Sequence, residues 1–118
     1  MINKLIKSKS SPISEKEWQS QVIELTKRMG YEFIYHTWRS DHSPAGFPDL
    51  IIIKDGRMIV AELKVGKGNL SAEQYFWLLE FTRVNYTEVY VWWPEDWDEV
   101  LSVVSNFFDR RGNITKEV

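Results

Sequence analysis

With 118 residues, 43% of them hydrophobic and six of them tryptophan, the chain can fold as one domain around a real core, which excludes a disordered polymer. Its net charge of −2 taken alone argues weakly against nucleic acid, although Lys4, Lys7 and Lys9 make the amino-terminal stretch basic. The absence of cysteine excludes disulfides and zinc–thiolate sites and fits a reducing cytoplasm; no apolar run approaches the roughly 20 residues of a membrane span, and no secretory signal is evident.

Residues 1–13 read as a flexible basic arm, either a solvated tail or an arm for DNA. Ser14 then opens a helix, because Ser14-Glu15-Lys16-Glu17 fits a capping box with Glu17 at the third helical position. Trp18, Val22, Leu25 and Met29 form its apolar stripe, and Gly30 is a natural stop. Residues 31–38, rich in aromatic and β-branched types, read as a strand, and 39–48 as a polar loop.

Asp55-Gly56 between two apolar runs is the strongest short-range signal of a hairpin, since a type I′ turn needs two residues tolerant of positive φ. The two strands are 48–53 and 58–65. With Asp55 and Gly56 as the loop, Lys54 faces Arg57, Ile53 faces Met58, Ile51 faces Val60, and Asp49 faces Glu62. Residues 66–69 form a second loop. Ser71 caps a helix running from residue 72 to about 84, again with a capping box through Gln74, and Asn85 is the expected left-handed stop. Residues 87–93 read as a strand ended by Pro94. A last amphipathic helix over 96–108 turns Trp97, Val100, Leu101, Val104 and Phe108 inward. A single domain over 14–109, followed by a polar tail at 110–118, gives the order α-β-β-β-α-β-α. The fold class is α/β, a mixed sheet flanked by helices.

Asp49, Glu62 and Lys64 carry the chemistry. Opposed residues of an antiparallel pair hold their Cβ atoms about 4.5–5.5 Å apart, and like charges there are destabilising. Lys64 shares the face of Glu62 by the two-residue period, and that strand is apolar on both sides, so it reads as buried throughout. Two carboxylates and an ammonium at the end of a buried strand need compensation, which a divalent cation between the acids supplies. A buried salt-bridge triad is the competing explanation, but one lysine leaves the second carboxylate uncompensated.

The first helix offers two more acids. Glu15 falls about 40° from the centre of the apolar stripe, and Glu17 about 120° away, where the capping box accounts for it. Glu15 is therefore the candidate third carboxylate, although an acid at a helix N-terminus needs no other reason. Gln74 shares a face with Trp77, Leu78 and Phe81, so capping and site roles weigh about equally. One carboxylate pair and the two histidines, His36 and His42, make a poor zinc site. No HExxH spacing, phosphate-binding glycine loop or Gly-x-Ser-x-Gly occurs. Trp38, beside the polar loop, could stack on a base.

Pro48-Asp49 followed by Glu62-Leu63-Lys64 resembles the PD-(D/E)xK nuclease signature, and the chain as a whole is similar to the virus-type replication-repair nuclease (VRR-NUC) family. The matching residues are Ser14 to Gln19, Tyr35-His36-Thr37, Ser40, Gly46-Phe47-Pro48-Asp49-Leu50, Ala61-Glu62-Leu63-Lys64, Gly68-Asn69-Leu70-Ser71, Gln74, Val89-Tyr90-Val91-Trp92 and Pro94. Where many relatives carry glycine before the last strand, this chain has Asn85.

The resemblance implies a restriction-endonuclease-like fold and cleavage of DNA phosphodiesters with Mg²⁺ or Mn²⁺. In it Asp49 and Glu62 are metal ligands, joined by the Leu63 carbonyl and with Glu15 as a further candidate. Lys64 orients or activates the attacking water, and Gln74 contacts water or phosphate. Candidate DNA contacts are His36, Arg39, Ser40, Lys67 and Gln19. Stand-alone members of this size resemble phage-encoded enzymes, some acting on branched DNA as homodimers. A homodimer is expected here too, with some of Trp38, Trp77, Trp92, Trp93 and Trp97 at its interface. The alternative from another class is a non-catalytic nucleic-acid-binding module on the same fold. Loss of the Asp, Glu or Lys would mark it, and all three are present.

Overall fold

The computed structural model describes residues 13–37, 43–108 and 114–116. The amino-terminal lysines, Trp38, Arg39, Ser40 and His42 lie outside them. Helix α1 (Glu15–Arg28) starts where the sequence places it. Ser14 Oγ accepts from the Glu17 amide at 3.1 Å while Glu17 Oε1 accepts from the Ser14 amide at 3.1 Å, so two of the helix's orphan donors are satisfied. Trp18, Val22 and Leu25 are buried, Met29 packs at the margin, and Gly30 takes φ +91° just beyond the end.

Strands β1 (Phe33–His36), β2 (Leu50–Lys54), β3 (Arg57–Leu63) and β4 (Thr87–Trp92) form one sheet in that spatial order. The first three are antiparallel neighbours, and β3 pairs with β4 in parallel. Asp55 (φ +53°) and Gly56 (φ +83°) make the primed turn, and the register is the expected one, with Lys54 opposite Arg57, Ile53 opposite Met58 and Leu50 opposite Ala61. The parallel pair requires a crossover, which helix α2 (Ala72–Phe81) supplies. Helix α3 (Trp97–Ser105) follows a short 3₁₀ turn at Pro94–Asp96.

Leu50, Ile52, Ile59, Ala61, Leu63 and Trp92 on one sheet face meet Trp18, Val22, Leu25, Val100 and Val104 from α1 and α3, and this is the core. The opposite face is covered more thinly by α2, which packs on β4. The expectation that β3 is buried on both sides therefore holds, with only Met58 partly exposed along Arg57–Leu63, whereas Ile53 of the neighbouring β2 is 42% exposed beside the turn.

Beyond shifts of one or two residues at the strand ends, three boundaries differ from the sequence reading. Helix α2 ends at Phe81, not near 84, because the amides of Arg83 and Val84 turn to the carbonyls three residues back, and the left-handed residue is Tyr86 (φ +62°) instead of Asn85. Helix α3 stops at Ser105. Residues Asn106–Phe108 (β5) then pair antiparallel with Ile114–Lys116 (β6), which lie in the stretch read as a polar tail. Leu101, expected inward, is 40% exposed. Trp92 is fully buried in this chain, so it cannot line an interface; among the described residues the large exposed rings are Phe33, Tyr35, Tyr75, Phe76 and Tyr86. No helix among the described residues is long and apolar enough to cross a membrane.

Candidate metal centre at the end of strand β3

Asp49 directly precedes β2 and Glu62 is the penultimate residue of β3, so the Leu50–Ala61 pair extended by one residue sets the two acids opposite each other. The Asp49 carboxylate is anchored, with Oδ2 accepting from the Leu63 amide at 2.9 Å. Its backbone is held too: Thr37 donates its amide to the Asp49 carbonyl (2.9 Å) and its hydroxyl to the Pro48 carbonyl (2.7 Å). Glu62 is 2% exposed. Its Oε2 accepts from Gln74 Nε2 at 2.8 Å, whereas its Oε1 is buried with no hydrogen-bond donor among the described residues. Lys64 Nζ lies 3.9 Å from Glu62 Oε2 and donates to Gln74 Oε1 at 3.0 Å.

Gln74 is thus the hub of the site and the cap of α2 at once. The same Oε1 accepts from the Ser71 amide (2.9 Å) while the Gln74 amide donates to Ser71 Oγ (3.1 Å). Capping α2 and contacting Glu62 and Lys64 are therefore compatible for this one side chain. The amino-terminal end of α1 reaches this region because Trp18 Nε1 donates to the Trp92 carbonyl (3.1 Å), which also accepts from the Lys64 amide (2.9 Å).

The electrostatics follow from burial. Loss of water pushes the Glu62 carboxyl up to about 8, reinforced by the Asp49 charge and a hydrogen bond with Asp49, while Lys64 pulls it down and Glu15 adds a further push up. Two carboxylates accept and neither donates, so that bond to Asp49 exists only while a proton sits between them. This reconciles it with an Oε1 that otherwise lacks a donor. His36 lies nearby, Nε2 and Gln19 Oε1 being 3.0 Å apart; burial lowers its pKa and the Asp49 charge opposes that.

A buried oxygen without a donor, in a carboxyl that must otherwise hold a proton at neutral pH, fits a cation ligand. Among the described residues no group of three or more His, Cys, Asp or Glu side chains could hold an ion. The donors that the site offers are the carboxylate oxygens of Asp49 and Glu62, both hard ligands. That composition suits Mg²⁺ or Mn²⁺, which keep several waters, and not zinc.

Among solved structures, a protein described as "VRR_NUC domain protein" superposes on this chain with a TM-score of 0.61 at 22% identity, covering 80% of this chain and 87% of that one. The chain has the fold of a VRR_NUC domain. No family model matches the sequence, and none of the curated proteins does.

Within this VRR_NUC fold the sequence-selected residues divide into three groups. Asp49, Glu62, Lys64 and Gln74 meet, and Leu63 lies between two of them with its amide on Asp49. Glu15 is exposed and touches the site through its charge on Glu62, while Glu17 is spent on the cap. Gln19 and His36 pair with each other, and Lys67 is exposed in the loop after β3. Thr37 was given no role from the sequence. Its position opposite Asp49 follows from the β1–β2 register, which no turn signal announces because a long loop joins those strands.

Proposed function

We propose that this chain is a Mg²⁺- or Mn²⁺-dependent DNA endonuclease that cuts branched or junction DNA as a homodimer, in phage-like replication, repair or recombination. The observation that carries the reading is the buried Glu62 Oε1, without a donor among the described residues and set opposite Asp49 beside a lysine. Asp49, Glu62 and the Leu63 carbonyl would hold the ion, with Glu15 adding negative charge at its rim. When bound, the ion supplies polarisation of the scissile phosphate and a lowered pKa for the attacking water. Lys64, steadied by Gln74, stabilises the negative charge that develops on the phosphoryl oxygens. Gln74 holds Glu62 through its amide and Lys64 through its carbonyl, so both keep their places through the reaction.

The test is incubation of purified protein with supercoiled and four-way-junction DNA in Mg²⁺, Mn²⁺ or EDTA, beside Lys64→Ala. Cleavage that needs the metal and falls roughly 10²–10⁴-fold in the variant, with DNA affinity nearly intact, supports the reading. Wild-type rates in Lys64→Ala overturn the lysine's role. Binding without cutting in every metal makes the chain a non-catalytic module. Light scattering reads the assembly: a monomer mass unchanged by DNA and Mg²⁺ rules out the dimer.

A further inference from the structure

Asp49 and Gln74 come from segments that the chain does not connect directly, and one contact sets the distance between them. Gly46 lies three residues before Asp49, in the turn closed by the Phe47 amide on the Pro44 carbonyl at 3.1 Å. Its backbone, at φ +83°, lies flat against the first turn of α2. A Cβ at Gly46 would sit 2.5 Å from the Glu73 carbonyl carbon and 2.6 Å from the Gln74 nitrogen. That nitrogen is the one that donates to Ser71 Oγ in the helix cap. Two further contacts fasten the same loop to the same helix. Trp77 Nε1 donates to the Ala45 carbonyl at 3.1 Å, and the Phe47 ring packs edge-on against Trp77 (5.1 Å between centroids) and Phe81 (6.2 Å).

We infer that Gly46 is a positioning residue: its missing side chain lets the Asp49 loop seat on the Glu73–Gln74 peptide and thereby sets Gln74 against Glu62 and Lys64. This rests on the nuclease reading for its catalytic half only. Carbon contacts settle at about 3.5 Å, so a methyl group at position 46 drives the helix start back by about 1 Å. The Gln74 bonds to Glu62 and Lys64, at 2.8 and 3.0 Å, do not survive such a shift. Misplacement on that scale costs about 10²-fold in rate when it disturbs a catalytic group.

Three variants isolate the contact. Gly46→Ala adds both the clash and the left-handed strain. Gly66→Ala, at φ +59° with no atom within 4 Å of its Cβ, adds the strain alone. Trp77→Phe removes the bond to Ala45 and thins the ring packing on Phe47, leaving position 46 as glycine, and covers the case in which Gly46→Ala does not fold. Two readouts are taken: kcat and KM on junction DNA with Mg²⁺, and the side-chain amide resonances of Gln74 by NMR in metal-free protein. The expected result for Gly46→Ala is a fall of about 10²-fold in kcat with KM unchanged, and Gln74 amide protons that exchange as in free glutamine. Trp77→Phe should lose about two- to tenfold in kcat, the value of one hydrogen bond, and Gly66→Ala should keep both readouts. Gln74 resonances unchanged in Gly46→Ala and Trp77→Phe, or a Gly66→Ala loss equal to that of Gly46→Ala, overturn the inference. If the wild type cuts no DNA, the nuclease reading falls and the Gln74 resonances alone decide this one.

Discussion

The two ends of strand β3 each bury a charged residue, and they treat it in opposite ways. At the turn end Arg57 is 4% exposed. Its Nη2 donates to Glu88 Oε1 (2.8 Å) and to the Val103 carbonyl (3.1 Å), its Nε donates to Glu88 Oε2, and its Nη1 donates to the Asn106 carbonyl and the Tyr31 hydroxyl. Tyr90 adds its hydroxyl to Glu88 Oε1 at 2.6 Å. One guanidinium meets one carboxylate in bidentate geometry, and burial is compensated. At the other end Glu62, at 2% exposed, has Asp49 opposite it, one lysine 3.9 Å away and an oxygen with no donor among the described residues. The first cluster is closed by the protein itself. The second is closed only by something added, a proton or a cation.

The largest effect that can break this contrast is on stability. Arg57→Leu leaves the partly buried Glu88 without its cation and the Val103 and Asn106 carbonyls without their donor, and should cost up to about 3–5 kcal/mol in urea denaturation, with no change in the metal required for the proposed cleavage. A cost below about 1 kcal/mol would mean that the Arg57 cluster is no more complete than a surface pair.

The second effect has the opposite sign and depends on pH. Between pH 4.5 and about 8 the unfolded chain has lost the Glu62 proton and the metal-free fold has kept it. The fold therefore binds more protons, and its stability should fall as pH rises through that window by up to about 1.4 kcal/mol per unit, then level off. Below pH 4.5 the contribution is fully present. Glu62→Gln should abolish the slope, and Mg²⁺ should flatten it by occupying the site in place of the proton. Thermal melts in EDTA across pH 5–9 read this directly; an identical slope in Glu62→Gln would place the titration elsewhere.

The smallest effect separates the neighbouring acids of α1. Ser14→Ala, which dismantles the Glu17 cap, should cost about 1 kcal/mol and leave cleavage intact. Glu15→Ala should leave stability within about 0.5 kcal/mol and raise the Mg²⁺ concentration needed for half-maximal cleavage. Equal Mg²⁺ requirements in both variants would remove Glu15 from the site.

What could be read from the sequence was local. Asp55-Gly56 dictated the β2–β3 register, and the two-residue period then placed Asp49, Glu62 and Lys64 on one face without knowledge of the rest of the fold. Both capping boxes were legible for the same reason, their partners being three residues apart. The end of α3 was not legible, because the spacing of Val100, Val104 and Phe108 continues a helical stripe past the true stop. The carbonyls of Val103 and Asn106 are instead taken by Arg57, more than 40 residues away in sequence. Arg57 itself read as a turn residue facing Lys54. Nothing in its neighbourhood points to Glu88, which reaches it only through the parallel pairing of β4.

That parallel pairing dictates when the chain becomes armed. The β2–β3 hairpin closes over a two-residue loop, a step of about 1–10 μs, and brings Asp49 and Glu62 together early. Gln74 arrives only once α2 has crossed over and β4 has docked beside β3, a non-local event that must first meet its loop-closure cost. A chain without β4 therefore holds a pair of carboxylates and no Gln74 hub, so the cleavage proposed above would wait until β4 is in place beside β3.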